Sequence, residues 1–482
     1  MNTSQLKNHD WFITAIVLLL LAISVITIFS TTVNSVSEAQ GAGTLPKQLI
    51  FIVVGMIAYF AISMTDVTWL QTKPLIHAVY ALILISLVAV LFVGQNIAGT
   101  NRWIDIGFFS FQPSEYAKIA LILMIAAIFT LNDRVLSGQP ATFLRGATVS
   151  RRRSPGITLS SIVRIPDEHP VLWRLILATA AAFPVVILTV IQPSLGNAVI
   201  ITLIWGIMLF TLFPDQLRLL LFIAIQILLL FLLSQVFTIE RSGYDMVATF
   251  AAHSANWLLI IPGLILTAGL MFAAHFKPVY MLAVPLVTVL VFFGFIYIWN
   301  NHITGYQKDR IDTFVSGPES DPLGTGYQVR QSRIAIGSGR LYGRGFLGGT
   351  QSSLNVLTQA HTDFVFAALS EQFGFIGSVI LLVLYLVLII RILKTGLESS
   401  SDFGRVVALG IATMILLHVF INVGMNMGKL PVTGIPLPLL SYGGSSVLVT
   451  AISLGIVQSI AGSKRAVDIS DTLMVRSQSQ LH

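Results

Sequence analysis

The sequence predicts an all-α polytopic membrane protein with about twelve transmembrane helices and one large polar loop. Three observations predict it. The 482 residues are 55% hydrophobic and 10% charged, whereas a soluble domain carries about 25% charged residues. Mean hydropathy is +0.85, and apolar runs of roughly 18 or more residues, enough to cross a bilayer, recur along the chain. Between two of these runs, from Gly305 to Asp363, lies a stretch rich in Gly, Arg, Asp and Gln. Its backbone could not be satisfied in lipid, so it lies in water or lines a cavity.

The predicted spans are roughly 11–33, 48–64, 75–94, 114–131, 174–191, 197–213, 217–236, 257–275, 279–299, 364–391, 405–425 and 437–462. The first is longer than a signal-peptide core and lacks a small-residue cleavage site, so it is read as a span. Cysteine is absent, which excludes disulfides, haem attachment and thiolate metal sites. The net charge of +7 is not a nucleic-acid signal, because basic residues here mostly mark cytoplasmic loops. Segment 132–173, with Arg134, Arg145, Arg151, Arg152, Arg153 and Arg164, reads as a poorly ordered basic cytoplasmic insertion. The loop 392–404 and the tail from Lys464 are basic as well. Both termini are therefore expected in the cytoplasm, with loops 95–113, 300–363 and 426–436 outside. Residues 1–465 make one membrane domain and 466–482 a cytoplasmic tail.

Four constellations could carry chemistry. In the first, Asn101 to Lys118, Glu115 and Lys118 stand three apart at the start of a span and share a helix face. They either anchor that helix as an ion pair or floor a polar cavity. Pro113 suits a first helical turn, and Trp103 an interfacial anchor. The second, Gln192 to Asn197, is by itself a turn between two spans. The third is the 300–363 loop. Its cations Lys308, Arg310, Arg330, Arg333, Arg340 and Arg344 lie among glycines, a composition suited to a diphosphate, because Arg grips phosphate with paired bonds and Gly lets backbone N–H groups approach. Asp321 either caps the turn before Pro322 or serves as general base for a sugar hydroxyl. The fourth, Asn422 to Ser446, carries prolines and glycines that break a span into a re-entrant element, tolerated at membrane depth only beside protein or water. Lys429 adds a cation there.

The stretches RWIDIGFFSFQPSEYAK, QPSLG, DPLGTGYQVRQSRIAIGSG and PVTGIPLPLLSYGGSS, in this order, resemble the signature of the shape, elongation, division and sporulation (SEDS) family across most of residues 1–465. ESDPLG, GSG, GGTQ and HTDF resemble its rod-shape branch more than its division branch. The resemblance implies a peptidoglycan glycosyltransferase that polymerises lipid II, an undecaprenyl-diphosphate disaccharide-pentapeptide, on the outer face of the cytoplasmic membrane during cell elongation. It implies an essential role for Asp321, a supporting one for Glu115 and Lys118, and a class B penicillin-binding protein transpeptidase as partner. The motif positions are Gln112, Pro113, Ser114, Gln192, Pro193, Gly337, Gly339, His361, Asp363, Asn422, Pro436, Pro438, Ser441, Gly443 and Gly444.

Four departures stand out. Ser194 replaces the Asp of a usual QPDLG, Arg340 replaces a Gly of a frequent GSGG, and Thr358-Gln359 replace a common Pro-Glu. The family core also has ten spans, so two more, with the polar segment Thr238 to Asn256, are placed between residues 213 and 300.

The implied reaction is one inverting displacement. An acceptor sugar hydroxyl attacks the donor's anomeric carbon, Asp321 takes its proton, and undecaprenyl diphosphate leaves against cations. Arg102, Lys308, Arg310, Arg330, Arg333 and Lys429 are the candidates for that role, and the sequence does not rank them. No protein metal site is expected and no cofactor is required, although a divalent cation, magnesium or manganese, can ride on the diphosphate. A lipid II flippase and a non-catalytic scaffold for a transpeptidase are the readings from other classes.

Overall fold

The computed structural model describes residues 9–33, 43–97, 100–105, 107, 109–130, 170–213, 309–311, 313–314, 316–321, 324–352, 356–357 and 359–479. Among them run α1 (Trp11–Thr32), α2 (Thr44–Ser63), the short α3 (Val67–Leu70), α4 (Lys73–Val93), β1 (Gln95–Ile97), β2 (Thr100–Asp105) and β3 (Ser110–Phe111). There follow α5 (Pro113–Thr130), α6 (Pro170–Ile191), α7 (Leu195–Leu212), a 3-10 turn (Pro318–Ser320), α8 (Thr325–Ser338), α9 (Val365–Leu397), α10 (Asp402–Asn426) and α11 (Gly444–Ser479).

Nine of these helices are long and apolar enough to cross a membrane: α1, α2, α4, α5, α6, α7, α9, α10 and α11. Each coincides with a predicted span. The predicted spans 217–236, 257–275 and 279–299, and Lys308, lie outside the described residues. The protein is a multi-pass membrane protein.

Three boundaries differ from the sequence reading by more than four residues. The last span starts at Gly444, not 437, because Pro436 and Pro438 lack the N–H a helix needs and residues 431–443 run as turns and extended chain. The same helix continues to Ser479, through most of the expected tail. α9 runs on to Leu397, beyond the predicted 391. The basic insertion also ends earlier than 173, since α6 begins at Pro170. The all-α expectation misses one element: loop 95–113 folds as a small antiparallel sheet in the order β1-β2-β3, with Asn96 opposite Asn101 and Ile104 opposite Phe111. Strands of two to six residues leave no readable alternation.

Burial sorts the helices. The apolar windows of α5, α10 and α11 are 83%, 78% and 78% buried, against 17% for α2 and for α4. The first three form the centre, and the last two lie toward the periphery. α5 can be central because small and branched side chains surround its axis, with Ala117, Leu121, Ile122, Ile125 and Ala126 fully enclosed. Gly410 of α10 meets Ile122 so closely that a methyl group would sit 2.5 Å from it.

At one end of the bundle, Asp10 caps α1 through Phe12 N and Ile13 N and pairs with Arg391 Nε of α9 at 2.7 Å. Gln458 of α11 joins them, donating to Asp10 O (2.8 Å) and to Tyr59 OH (2.8 Å). The segments bearing the sequence motifs meet at the opposite end, called here the motif face.

Candidate functional site

The first part of the site is a polar knot inside the bundle. Pro113 opens α5, as its sequence suggested, and Gln112 N is held by Ser445 Oγ at 3.1 Å. One turn on, Lys118 is completely enclosed. Its ammonium donates to Glu115 Oε2 (2.9 Å), Asn197 Oδ1 (3.0 Å) and His418 Nε2 (2.8 Å). An ammonium has three hydrogens, and all three are used within the protein. The His418 ring is fixed from behind, its Nδ1–H donating to Met414 O at 2.7 Å. Asn197 turns its amide nitrogen to Ser114 Oγ (3.0 Å) and Ser194 Oγ (3.4 Å). The Glu115–Lys118 pair therefore ties α5, α7 and α10 together. The geometry is that of an anchoring ion pair rather than of a cation presented to a ligand.

The QPSLG turn is more than a turn. Gln192 is buried and donates to Leu87 O at 2.7 Å, which fixes α6 on α4. Gly196 lies so close to the 431–435 segment that a Cβ would stand 2.7 Å from Thr433 O.

The second part lies above this knot. Asn422 and Asn426, one turn apart on α10, both donate to Asp363 O at 3.0 Å, and Asn422 also holds Ile435 O at 2.8 Å. Ser441 Oγ donates to Thr362 O (2.6 Å), and Tyr442 N to His361 O (2.8 Å). The HTDF stretch and the Pro-rich segment thus form one unit. This unit turns the Asp363 side chain toward Arg310 and Arg102. Burial raises the Asp363 carboxyl above its ordinary value, and the charges of Arg310 and then Arg102 pull it back. Gly434, at φ +69, lies against this cluster: a Cβ there would be 3.5 Å from both Arg310 Nη1 and Asp363 Oδ2. Arg310 also donates to Val432 O at 3.2 Å. Burial lowers the His361 imidazole.

Asp321 stands after the 3-10 turn, half-buried. Its Oδ1 accepts from Gly324 N at 2.8 Å and its Oδ2 from Gly326 N at 3.3 Å. This is the turn-capping arrangement weighed from the sequence, and it fixes the entry to α8. An ionised carboxylate offers about four lone-pair sites, so capacity remains for a hydroxyl. The same turn supplies Pro318 and Thr325 to a cleft of about 30 Å³, whose other walls include Arg310, Gly428, Pro431 and Val432. A water needs roughly 10–15 Å³ of such space, so this cleft has room for water and not for a sugar.

The structure separates the cations that the sequence left unranked. Arg102 and Arg310 converge on Asp363. Arg330 pairs with exposed Glu319 at 2.9 Å. Arg333 is exposed, with its stem against Gly428, and Lys429 is exposed. Gly339 packs on Ser370 O where no side chain fits, whereas Gly337 faces open space. Sequence reasoning missed Asn197, His418 and Asn426. It also missed Glu371, a fully buried carboxylate that accepts from Thr350 N (2.7 Å), Gln351 N (2.9 Å) and Ser352 N (3.0 Å). Among the described residues, no group of three or more His, Cys, Asp and Glu could hold a metal ion.

Fold and site together define a polytopic membrane protein with a polar face that gathers acidic and basic side chains from loops far apart in sequence. The sequence profile of the "Cell cycle protein" family of FtsW, RodA and SpoVE matches residues 10–261 and 255–466, and the chain belongs to that family. It is 31% identical over 447 residues to the peptidoglycan glycosyltransferase MrdB of Escherichia coli (strain K12), covering 92% of each chain. It is 30% identical over 467 residues to the peptidoglycan glycosyltransferase RodA of Treponema pallidum (strain Nichols), covering 95% of this chain and 99% of that one. Two solved structures share the fold. A chain from a peptidoglycan synthase complex that coordinates polymerization and crosslinking aligns at TM-score 0.56 and 24% identity, over 95% of this chain and 98% of that one. The rod shape determining protein RodA of Thermus thermophilus aligns at TM-score 0.52 and 21% identity, over 95% and 97%.

Proposed function

We propose that this chain is a peptidoglycan glycosyltransferase that polymerises lipid II at the outer face of the cytoplasmic membrane during cell elongation, with both termini in the cytoplasm. The relatives' names support the activity. The observation that carries the site is the pull of Arg310 and Arg102 on the Asp363 carboxyl, with Gly434 packed against Arg310 and Asp363. Two guanidiniums offer paired donors to a diphosphate. The charge that builds on the departing undecaprenyl diphosphate is stabilised by donors already in place, which need not reorganise.

Asp321 takes the proton of the attacking sugar hydroxyl, using a lone pair left free by its backbone bonds. The anomeric centre inverts in one displacement. Arg310, shared by the cleft and the cluster, links the Asp321 turn to the diphosphate site. Glu115 and Lys118 act at one remove, by holding the helices that carry Gln112 and Asn422. No cofactor enters this scheme, and a divalent cation takes part only as a companion of the diphosphate. The partner is a class B penicillin-binding protein transpeptidase, which crosslinks the emerging strand.

The test is incubation of the purified chain with lipid II in detergent, with and without the transpeptidase, resolving glycan strands on a gel. Polymer from the wild type and none from Asp321→Ala or Asp321→Asn supports the proposal. Lipid II left intact in both conditions favours a flippase, and polymer from both variants removes Asp321 from the mechanism.

A further inference from the structure

The loop 340–347, reading RLYGRGFL, has no part in the site described above. It is held rigidly. Phe375 N donates to Arg340 O (2.9 Å) and Ile376 N to Leu341 O (3.2 Å), while Arg344 N and Gly345 N donate to Glu371 O (2.9 Å) and Gln372 O (3.0 Å). Gly343, at φ +83, approaches Gln372 O so closely that no side chain fits. Yet the loop shows solvent a row of apolar side chains: Leu341 is 48% exposed, Tyr342 78%, Phe346 49% and Leu347 38%. Exposed Arg340 and Arg344 stand among them.

The depth of this loop follows from α9. The helix breaks at Gly374, whose φ is +66. Of its 33 residues, the 23 from Phe375 onward measure about 34 Å at ~1.5 Å per residue, enough for a hydrocarbon core of about 30 Å. The residues before the break, Val365 to Gln372, are buried in protein, while the apolar Phe375, Ile376 and Ile380 after it are exposed, as suits a lipid-facing helix. The break therefore marks the edge of the hydrocarbon layer, and the loop is bonded to both sides of it. A second contact agrees: Phe346 stacks on Phe29, centroids 6.2 Å apart, near the end of α1 on the motif face. The loop's apolar side chains continue the lipid-facing surfaces of α1 and α9.

We propose that residues 340–347 are an interfacial anchor. Tyr342, Leu341, Phe346 and Leu347 occupy the head-group layer of the leaflet on the motif face, where amphipathic rings are favoured. Arg340 and Arg344 reach lipid phosphates from the same loop. This holds whether or not the chain is a glycosyltransferase. It gives the motif face a fixed height above the bilayer.

The absence of cysteine makes the test clean. Single-cysteine variants Tyr342→Cys, Leu341→Cys, Ile380→Cys and Glu319→Cys are spin-labelled and placed in nanodiscs of phosphatidylethanolamine and phosphatidylglycerol. Oxygen and a water-soluble nickel chelate are compared as relaxing agents. Leu341→Cys reports on the loop with Tyr342 retained. The expected result is an oxygen-to-nickel ratio at 341 and 342 several-fold above that at 319 and below that at 380. Nickel accessibility equal to that at 319 overturns the proposal. So does a label shielded from both agents, or one that becomes shielded only when the transpeptidase is added, since either makes the loop a protein contact.

Discussion

Replacing Lys118 with Met tests the polar knot most sharply. The side chain is enclosed, and its ammonium serves three acceptors on three helices. Methionine keeps the volume but leaves Glu115 as a buried carboxylate without its counter-charge. Removing one partner of a buried pair costs about 3–5 kcal/mol, on the order of a third of a typical domain's stability. Glu115→Gln alone strands the ammonium and costs a similar amount. The double variant Glu115→Gln, Lys118→Met removes both charges, so its loss falls short of the sum of the single losses by at least ~2 kcal/mol. The assay is reversible unfolding of the purified protein in detergent for the four members of the cycle. Additive losses, or a loss under about 1 kcal/mol for Lys118→Met, would refute the argument and show the pair to be solvated.

Three other outcomes follow from the geometry. Gly196→Ala forces its methyl group against Thr433 O and should cost about 1–3 kcal/mol, lowering both the unfolding midpoint and glycan synthesis; an unchanged midpoint contradicts the close approach. Glu371→Ala removes the acceptor of three backbone N–H groups, so the amides of Thr350, Gln351 and Ser352 should exchange with solvent markedly faster while those of α10 do not. Burial raises the Asp363 carboxyl, so its contribution to stability is present below its unfolded value and lost as pH rises through its folded value. Asp363→Asn should therefore gain stability relative to wild type as pH rises through that range, and a gap that does not change with pH excludes the buried environment described here.

Much of this architecture is legible in the sequence because hydrophobic runs report spans directly. All nine described spans were found that way, although the last was started at 437, inside the break that Pro436 and Pro438 impose. The site was legible only in part. Lys118 announced itself as a charge in an apolar run, but its acceptors Asn197 and His418 lie 79 and 300 positions away. The available signal was that an enclosed ammonium must fill three hydrogen bonds, and that Asn197 and His418 are polar residues within predicted spans. The ranking of the arginines could not be read, since Arg102, Arg310 and Asp363 come together only through the fold. Glu371 was likewise a charge inside a predicted span, 364–391, but its partners, chiefly the backbone N–H groups of Thr350, Gln351 and Ser352, are ones a sequence does not distinguish.

With the diphosphate proposed to sit between Arg102 and Arg310, steady-state turnover of lipid II by purified variants is the most direct test. Arg102→Gln with Arg310→Gln removes two charged hydrogen-bonding groups, each worth about 1.5–3 kcal/mol, and should lower kcat/KM by roughly two orders of magnitude or more. Arg330→Gln, which loses a pairing with exposed Glu319, should stay within a few-fold of wild type. Near wild-type turnover by the double variant, or an equal loss from Arg330→Gln, would contradict the account.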